Sequence, residues 1–285
     1  METLTIKTNT SELSVKIQGT EKKGTIILLH GGPGVPDYLE DVAFALNSGY
    51  RVISFDQRGV GRSAAFHDSY SIDDYINDIY TIIHSLNFSE IHFFGHSWGA
   101  LLAQLYAYKY PDNIKSMFLC NPCPGVGRQW LLMEKEFMDF MRSKMSANEW
   151  VKLKYNYYIA RRDWENADRA VLKIILLVWK IYFKNLDLPM KRNKEWLHGI
   201  NAKALFKTRK TIMKMAHLSL NEAPSINSIP ILILYGSNDI YQSTKWITRA
   251  RYPFAQYVEL ENSGHFPWLQ DIENFNLILS QFYEI

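Results

Sequence analysis

A serine, an aspartate and a histidine stand where a folded chain could use them together. Ser97 lies in Phe93-Phe94-Gly95-His96-Ser97-Trp98-Gly99-Ala100, between an apolar run that reads as a strand and another that reads as a helix. A serine on a tight strand-to-helix turn is held with its hydroxyl exposed, and Gly95 and Gly99 leave room for the flanking elements. That hydroxyl is a weak nucleophile at neutral pH and needs a base. His265, in Asn262-Ser263-Gly264-His265-Phe266, would take its proton and later return it to a leaving group. Asp239, in Gly236-Ser237-Asn238-Asp239, would fix the imidazole tautomer and stabilise the imidazolium, although an Asn-Asp pair also suits an ordinary turn. The chemistry expected of the trio is acyl transfer through a covalent ester on Ser97.

Acyl transfer develops a negative oxygen that needs donors aimed at it. The Trp98 N–H, at the start of a predicted helix, is one. A second is expected from Leu28-Leu29-His30-Gly31-Gly32-Pro33-Gly34, where glycines let the backbone approach a substrate closely. Gly32 is the expected donor, with Gly31 in reserve, since Pro33 has no N–H. The loop lacks both the Gly-Lys-Ser/Thr ending and the G-x-G-x-x-G spacing of phosphate cradles. Of the remaining histidines, His30 lies in this loop and His96 beside Ser97, while His67, His84, His92, His198 and His217 read as structural or exposed.

These residues need elements to carry them. Apolar runs at residues 25–29, 51–55, 91–94 and 116–119, with a further strand at 13–17, alternate with helix-like segments at 38–47, 71–86 and 100–110. Strands apolar on both faces belong inside a parallel sheet, and strand–helix alternation implies crossover units. The rhythm breaks near Gly127 and resumes with strands at 231–235 and 256–260 and a closing helix at 272–283. The expected architecture is α/β: a mostly parallel, doubly wound sheet of about eight strands, formed by residues 1–126 and 226–285, with a helical cap inserted at 127–225. Ser97, Asp239 and His265 then all fall at the C-terminal edge of the sheet.

Composition fits a globular protein. The 285 residues are 47% hydrophobic, 14% aromatic and 21% charged, and 32 basic against 29 acidic side chains exclude a disordered chain. Charge is uneven: residues 128–224 hold 20 Lys and Arg and 10 Asp and Glu, a net of +10, against −7 for the rest. The basic residues are scattered at helical spacing, which suits a solvated helical face better than a nucleic-acid-binding arm. No run reaches the roughly 18 apolar residues of a membrane span, and the apolar stretch 171–179 is expected to be buried rather than to touch a membrane surface. Residues 1–7 lack a basic region followed by a hydrophobic one, so no secretory signal and a cytoplasmic location are expected. The two cysteines, Cys120 and Cys123, read as reduced thiols at a strand end, since no second ligand pair follows at metal-site spacing. No cofactor or metal is expected, and the partner is a small molecule or short peptide.

Taken together, His30-Gly31-Gly32-Pro33-Gly34, Asp56-Gln57-Arg58-Gly59-Val60-Gly61-Arg62-Ser63 and Gly95-His96-Ser97-Trp98-Gly99 resemble the proline iminopeptidase branch of the α/β-hydrolases. The resemblance covers about residues 10–125 and 228–285. It implies an α/β-hydrolase fold and a cofactor-free serine hydrolase that removes an N-terminal proline or other residue from small peptides, with a helical cap above the triad. It further implies that segment 56–63 shapes the loop near the site, with Asp56 and Arg58 as a structural pair. Many members have Gly-Gly before the serine, whereas His96 here matches esterase-like relatives. Family aminopeptidases bind the substrate amine through cap glutamates, for which Glu134, Glu136, Glu149, Glu165, Glu195 and Glu222 are the candidates. Cap aromatics such as Trp130, Trp150, Trp164, Trp179 and Trp196 could line an apolar pocket. A carboxylesterase or lactonase on the same machinery, and a ligand-binding receptor without turnover, are the alternatives.

Overall fold

The computed structural model describes residues 1–183, 198–215 and 228–285. Strands β1 (Glu2–Lys7), β2 (Ser11–Gly19), β3 (Thr25–Leu29), β4 (Arg51–Phe55), β6 (Ile91–His96), β7 (Ile114–Cys120), β8 (Ile231–Gly236) and β9 (Gln256–Leu260) form one sheet in the order β1-β2-β4-β3-β6-β7-β8-β9, and the two-residue β5 (Ala64–Ala65) pairs with β2. Pairing is antiparallel from β1 through β4 and parallel from β4 to β9. The strand order reverses direction beside β3 and β6, the arrangement that opens a crevice at the C-terminal ends of the strands.

Successive side chains of the central strands enter opposite layers. Ile27, Leu29, Phe93, Met117 and Ile233 pack under α2 (Ile72–Ser85) and α3 (Trp98–Lys109). Ile26, Leu28, Phe94, Phe118 and Leu232 pack against α1 (Glu40–Leu46) and the closing helix α10 (Ile272–Tyr283). This two-residue alternation, apolar on both sides, is why the strands read as continuous hydrophobic runs. Helix α3 is buried from Trp98 to Ala107, and so needs no polar face. Helix α2 starts at a capping box in which Ser71 Oγ accepts the Asp74 N–H and Asp74 accepts the Ser71 N–H.

Between β7 and β8 come α4 (Arg128–Lys144), α5 (Ala147–Arg162), α6 (Ala167–Tyr182) and α7 (Ala202–Lys214). Their apolar sides join the layer under α2 and α3 through Trp130, Met133, Met141, Leu153, Val178 and Ile212. The run 171–179 is not an exposed stripe: Val171, Val178 and Trp179 are buried, and Trp179 meets Phe266 edge-on. Two short helices, α8 (Lys245–Arg251) and α9 (Pro267–Gln270), complete the chain's C-terminal part. No helix among the described residues is long and apolar enough to cross a membrane.

Candidate active site

Ser97 sits directly between β6 and α3, at φ 55° and ψ −117°. A side chain other than glycine is strained there, and the strain is imposed by the elements on either side. A Cβ on Gly99 would lie 2.0 Å from the Leu29 carbonyl oxygen, and one on Gly95 would lie 2.6 Å from Ala100 Cα, so both glycines are required for helix and strand to approach the turn. The Ser97 N–H donates to the Cys120 carbonyl and the Cys123 N–H donates to the Ser97 carbonyl, which staples the turn to the end of β7.

The loops after β8 and β9 deliver the other two residues. His265 Nδ1 lies 2.7 Å from Asp239 Oδ1, and its Nε2 lies 3.1 Å from Ser97 Oγ. A carboxylate only accepts, so the Nδ1 proton points at Asp239 and the Nε2 lone pair faces the hydroxyl. Asp239 is buried, and its Oδ1 also accepts the Ile240 N–H at 2.7 Å. The histidine loop is held from three sides. Asn121 Nδ2 donates to the carbonyls of Gly264 and His265, while Asn121 Oδ1 accepts the Gly236 N–H. Gln270 Oε1 accepts the Gly264 and Phe266 N–H groups, and His96 Nε2 lies 2.7 Å from the His265 carbonyl oxygen.

That last contact fixes a chain of proton positions. A carbonyl requires His96 to carry its proton on Nε2, leaving Nδ1 to accept from Tyr38 Oη at 2.6 Å; Tyr38 Oη in turn accepts the Gly31 N–H at 2.9 Å. Burial, reinforced by the neighbouring His265, holds His96 well below the usual imidazole range, which keeps it neutral. The Gly31 N–H is therefore engaged and is not free to serve as the reserve oxyanion donor. A Cβ on Gly31 would lie 3.0 Å from Ser97 Cβ, so this loop runs beside the turn that carries Ser97. Gly32, at φ +62°, has no hydrogen-bond acceptor for its N–H among the described residues. The Trp98 N–H belongs to the first helical residue, which has no intrahelical partner. Gln57 braces the same region: its Nε2 donates to the His30 carbonyl and its Oε1 accepts the Trp98 indole N–H.

Two expectations need correction. Asp56 and Arg58 do not pair. Asp56 accepts the N–H groups of Asp37 and Arg62, whereas Arg58 forms a bidentate pair with Asp78 on α2, at 2.9 and 2.7 Å. Nor do the described cap glutamates line the triad. Glu134 binds Arg209 in a two-point pair and accepts the Trp130 indole N–H, Glu136 accepts from Ser243 and Thr244, Glu149 caps α5 and pairs with Lys180, and Glu165 is exposed. Glu195, Glu222, Trp196 and His217 lie outside the described residues. Of the cap aromatics, Trp130 meets Trp98 edge-on and Trp164 is exposed.

Of the side chains that surround Ser97 and His265, Tyr182 and Tyr241 were not marked by any motif. The rings of Tyr182 and Tyr241 stand 5.4 and 5.3 Å from His265, and Cys123 Sγ lies 3.7 Å from Ser97 Oγ. Both cysteines are free and buried; burial pushes the Cys123 thiol up to about 12 and Cys120 well above its ordinary value, so neither competes as a thiolate near neutral pH. Among the described residues no group of three His, Cys, Asp or Glu side chains is placed to hold a metal ion.

The chain is similar to proteins of known fold. Over 100 residues it is 37% identical to a proline iminopeptidase of Heyndrickxia coagulans, covering 34% of this chain and 35% of that protein. Over 117 residues it is 36% identical to epoxide hydrolase 4 of Mus musculus, covering 40% and 33%. The matched stretch thus spans about a third of the length of these relatives. A solved structure from work on carboxylesterases of the thaumarchaeon Nitrososphaera gargenis superposes with a TM-score of 0.76 at 17% identity, covering 99% of this chain and 98% of that one, a likeness of fold. The profile of the alpha/beta hydrolase fold family matches residues 24–271, most of the chain, and the strand order and the strained turn at Ser97 fit it. The chain belongs to the α/β-hydrolase fold family.

Proposed function

We propose that the protein is a serine hydrolase that forms and hydrolyses an acyl-enzyme on Ser97. The observation that carries this reading is the continuous chain from Asp239 through His265 to Ser97, at 2.7 and 3.1 Å, ending on a strained turn. Ser97 Oγ attacks a carbonyl carbon and its proton passes to His265 Nε2. The oxyanion takes the N–H groups of Trp98 and Gly32, and the proton goes on to the leaving amine or alcohol as its bond to carbon breaks. Water, deprotonated by the same histidine, then releases the acid. Asp239 stays ionised and stabilises the imidazolium. The helices between β7 and β8 act as a cap.

The substrate class best supported is a small ester or amide without a free ammonium group. A charged amine taken out of water needs a carboxylate, and among the described cap residues Glu134, Glu136 and Glu149 already have partners. The net charge of +10 over residues 128–224 further disfavours a cation. The aminopeptidase reading keeps its support from the proline iminopeptidase among the relatives. Both are tested on the purified protein with a fluorophosphonate probe and three substrates: a free-amine prolyl arylamide, its N-blocked form and a short acyl ester. Labelling at Ser97 with turnover of the ester is the expected result. Turnover of the free-amine arylamide alone overturns the ester reading, and absence of labelling overturns the serine hydrolase in favour of a receptor.

A further inference from the structure

Away from the triad, a cavity of about 450 Å3 opens among α4, α5 and α6. Its volume lies within the roughly 300–1,000 Å3 of small-molecule sites. Ser97, Asp239 and His265 do not line it. Its apolar wall is built from Phe137, Met138, Leu153 and Ile174. Leu153 is buried, and the other three pack against the main core, so this wall is backed by protein rather than water. Tyr157 also lines the cavity, and burial raises its hydroxyl above the ordinary phenol value.

The mouth is different. Lys154, Arg161 and Arg162 line the cavity from one side of α5, at spacings of seven and eight residues that bring them to one helix face, and all three are exposed. None of them forms an ion pair with a described acidic residue. Arg162 instead lies over the Tyr158 ring at 4.7 Å, with Tyr158 also lining the opening. An apolar interior entered past three uncompensated cations is complementary to a molecule with an apolar body and one anionic end.

We propose that this cavity is a second ligand site, separate from the triad, for an amphipathic carboxylate of the fatty-acid type. Its chain lies along Phe137, Met138, Leu153 and Ile174, and its carboxylate meets Lys154, Arg161 and Arg162. Chain burial supplies most of the affinity, and the cations select the head group. The site does not require Ser97 to react.

Calorimetric titration of the full chain with decanoate, decanol and decyltrimethylammonium, each below its micellar concentration, tests this. Decanoate is expected to bind at least about tenfold more tightly than either of the others, and the combined Lys154→Ala, Arg161→Ala and Arg162→Ala variant to lose about that factor for decanoate while leaving decanol unchanged. The three side chains are exposed, so the variant is expected to fold, as a matching thermal melt would verify. Protein whose Ser97 carries a fluorophosphonate adduct is expected to bind decanoate as before. Equal binding of the three head groups, no binding of decanoate, an unchanged triple variant, or loss of binding on phosphonylation each overturns the proposal; the last would place the acid at the triad, without touching the evidence for Ser97 as nucleophile.

Discussion

The ends of the central strands and the helices inserted between them use polar side chains in opposite ways. Around Ser97 the polar groups are buried and tied across long sequence distances: Asn121 joins β8 to the histidine loop, and Tyr38 and His96 join the glycine loop to it. In the insertion many face outward and bind near neighbours, as Lys135 does with Asp139, Ser146 with Glu149 and Arg162 with Tyr158, beside a few longer links such as Glu134 with Arg209. The first arrangement fixes atoms to within a fraction of an ångström, which proton transfer needs. The second stabilises helices one at a time and leaves their surfaces free to vary. Substitutions in the two regions should therefore differ in kind, catalytic in one and merely additive in the other.

The largest effect is expected at Ser97, the proposed nucleophile. Ser97→Ala should lower kcat by about 10⁶-fold, as serine loss does in comparable triads, with the fold unchanged by circular dichroism. Asp239→Asn should follow at about 10⁴-fold, because an amide in place of the carboxylate favours the wrong histidine tautomer. A near-normal rate for Asp239→Asn would show that the contact with His265 Nδ1 is structural only, and would collapse the distinction between the two regions.

Arg58 breaks the comparison from the side of stability. It is completely buried, and its partner Asp78 is buried too, so Arg58→Ala leaves a carboxylate with only Ser11 Oγ still donating to it among the described residues. Removing one partner of such a pair destabilises by about 3–5 kcal/mol. Burial already holds the Asp78 carboxyl above its ordinary value against the opposing pull of Arg58. The variant should raise it further. A carboxyl whose folded value exceeds its unfolded value binds more protons when folded, so stability falls as pH rises between the two. Urea midpoints of Arg58→Ala should accordingly lie further below wild type at pH 8 than at pH 5.

Arg58 also marks where the sequence stopped being readable. Asp56 and Arg58 are two residues apart and opposite in charge, but the partner of Arg58 is twenty residues on, brought near by the packing of α2. Strands β3, β4 and β8 were visible to the residue or nearly so, because burial on both faces writes itself as an apolar run. Strand β1 was not: only Ile6 of its six residues is buried, and backbone pairing with β2 holds the rest. The placement of Ser97, Asp239 and His265 was legible because each sits in a turn that follows a strand. Tyr38, Asn121, Tyr182 and Tyr241 were not, since each reaches the site through the tertiary fold, from loops or a helix end whose local sequence carries no sign of it.

Tyr38 tests whether that unseen layer matters for catalysis. Tyr38→Phe keeps the ring packed against Phe266 and Trp268 but leaves the Gly31 N–H and His96 Nδ1 without their partner. The glycine loop and the histidine loop are then no longer coupled. A drop in kcat of about 10–100-fold with little change in KM is expected, since displacements near 1 Å cost on that order. A change in KM alone would assign Tyr38 to substrate binding instead.

The smallest effect belongs to the insertion. Ser146 begins α5 with a capping box: its hydroxyl accepts the Glu149 N–H, and Glu149 accepts the Ser146 N–H. Ser146→Ala removes one end of that exchange and should lower stability by about 1 kcal/mol, read as a shift in the urea midpoint. Helix α5 carries no residue of the triad and packs chiefly on α6, so the loss is local to the pair of helices. The rate on a short ester should stay within about twofold of wild type, because none of the hydrogen bonds that fix His265 or the glycine loop starts on α5. A tenfold fall in kcat would mean that the helices transmit strain to the strand ends, and that the insertion is as tightly coupled to the chemistry as the sheet is.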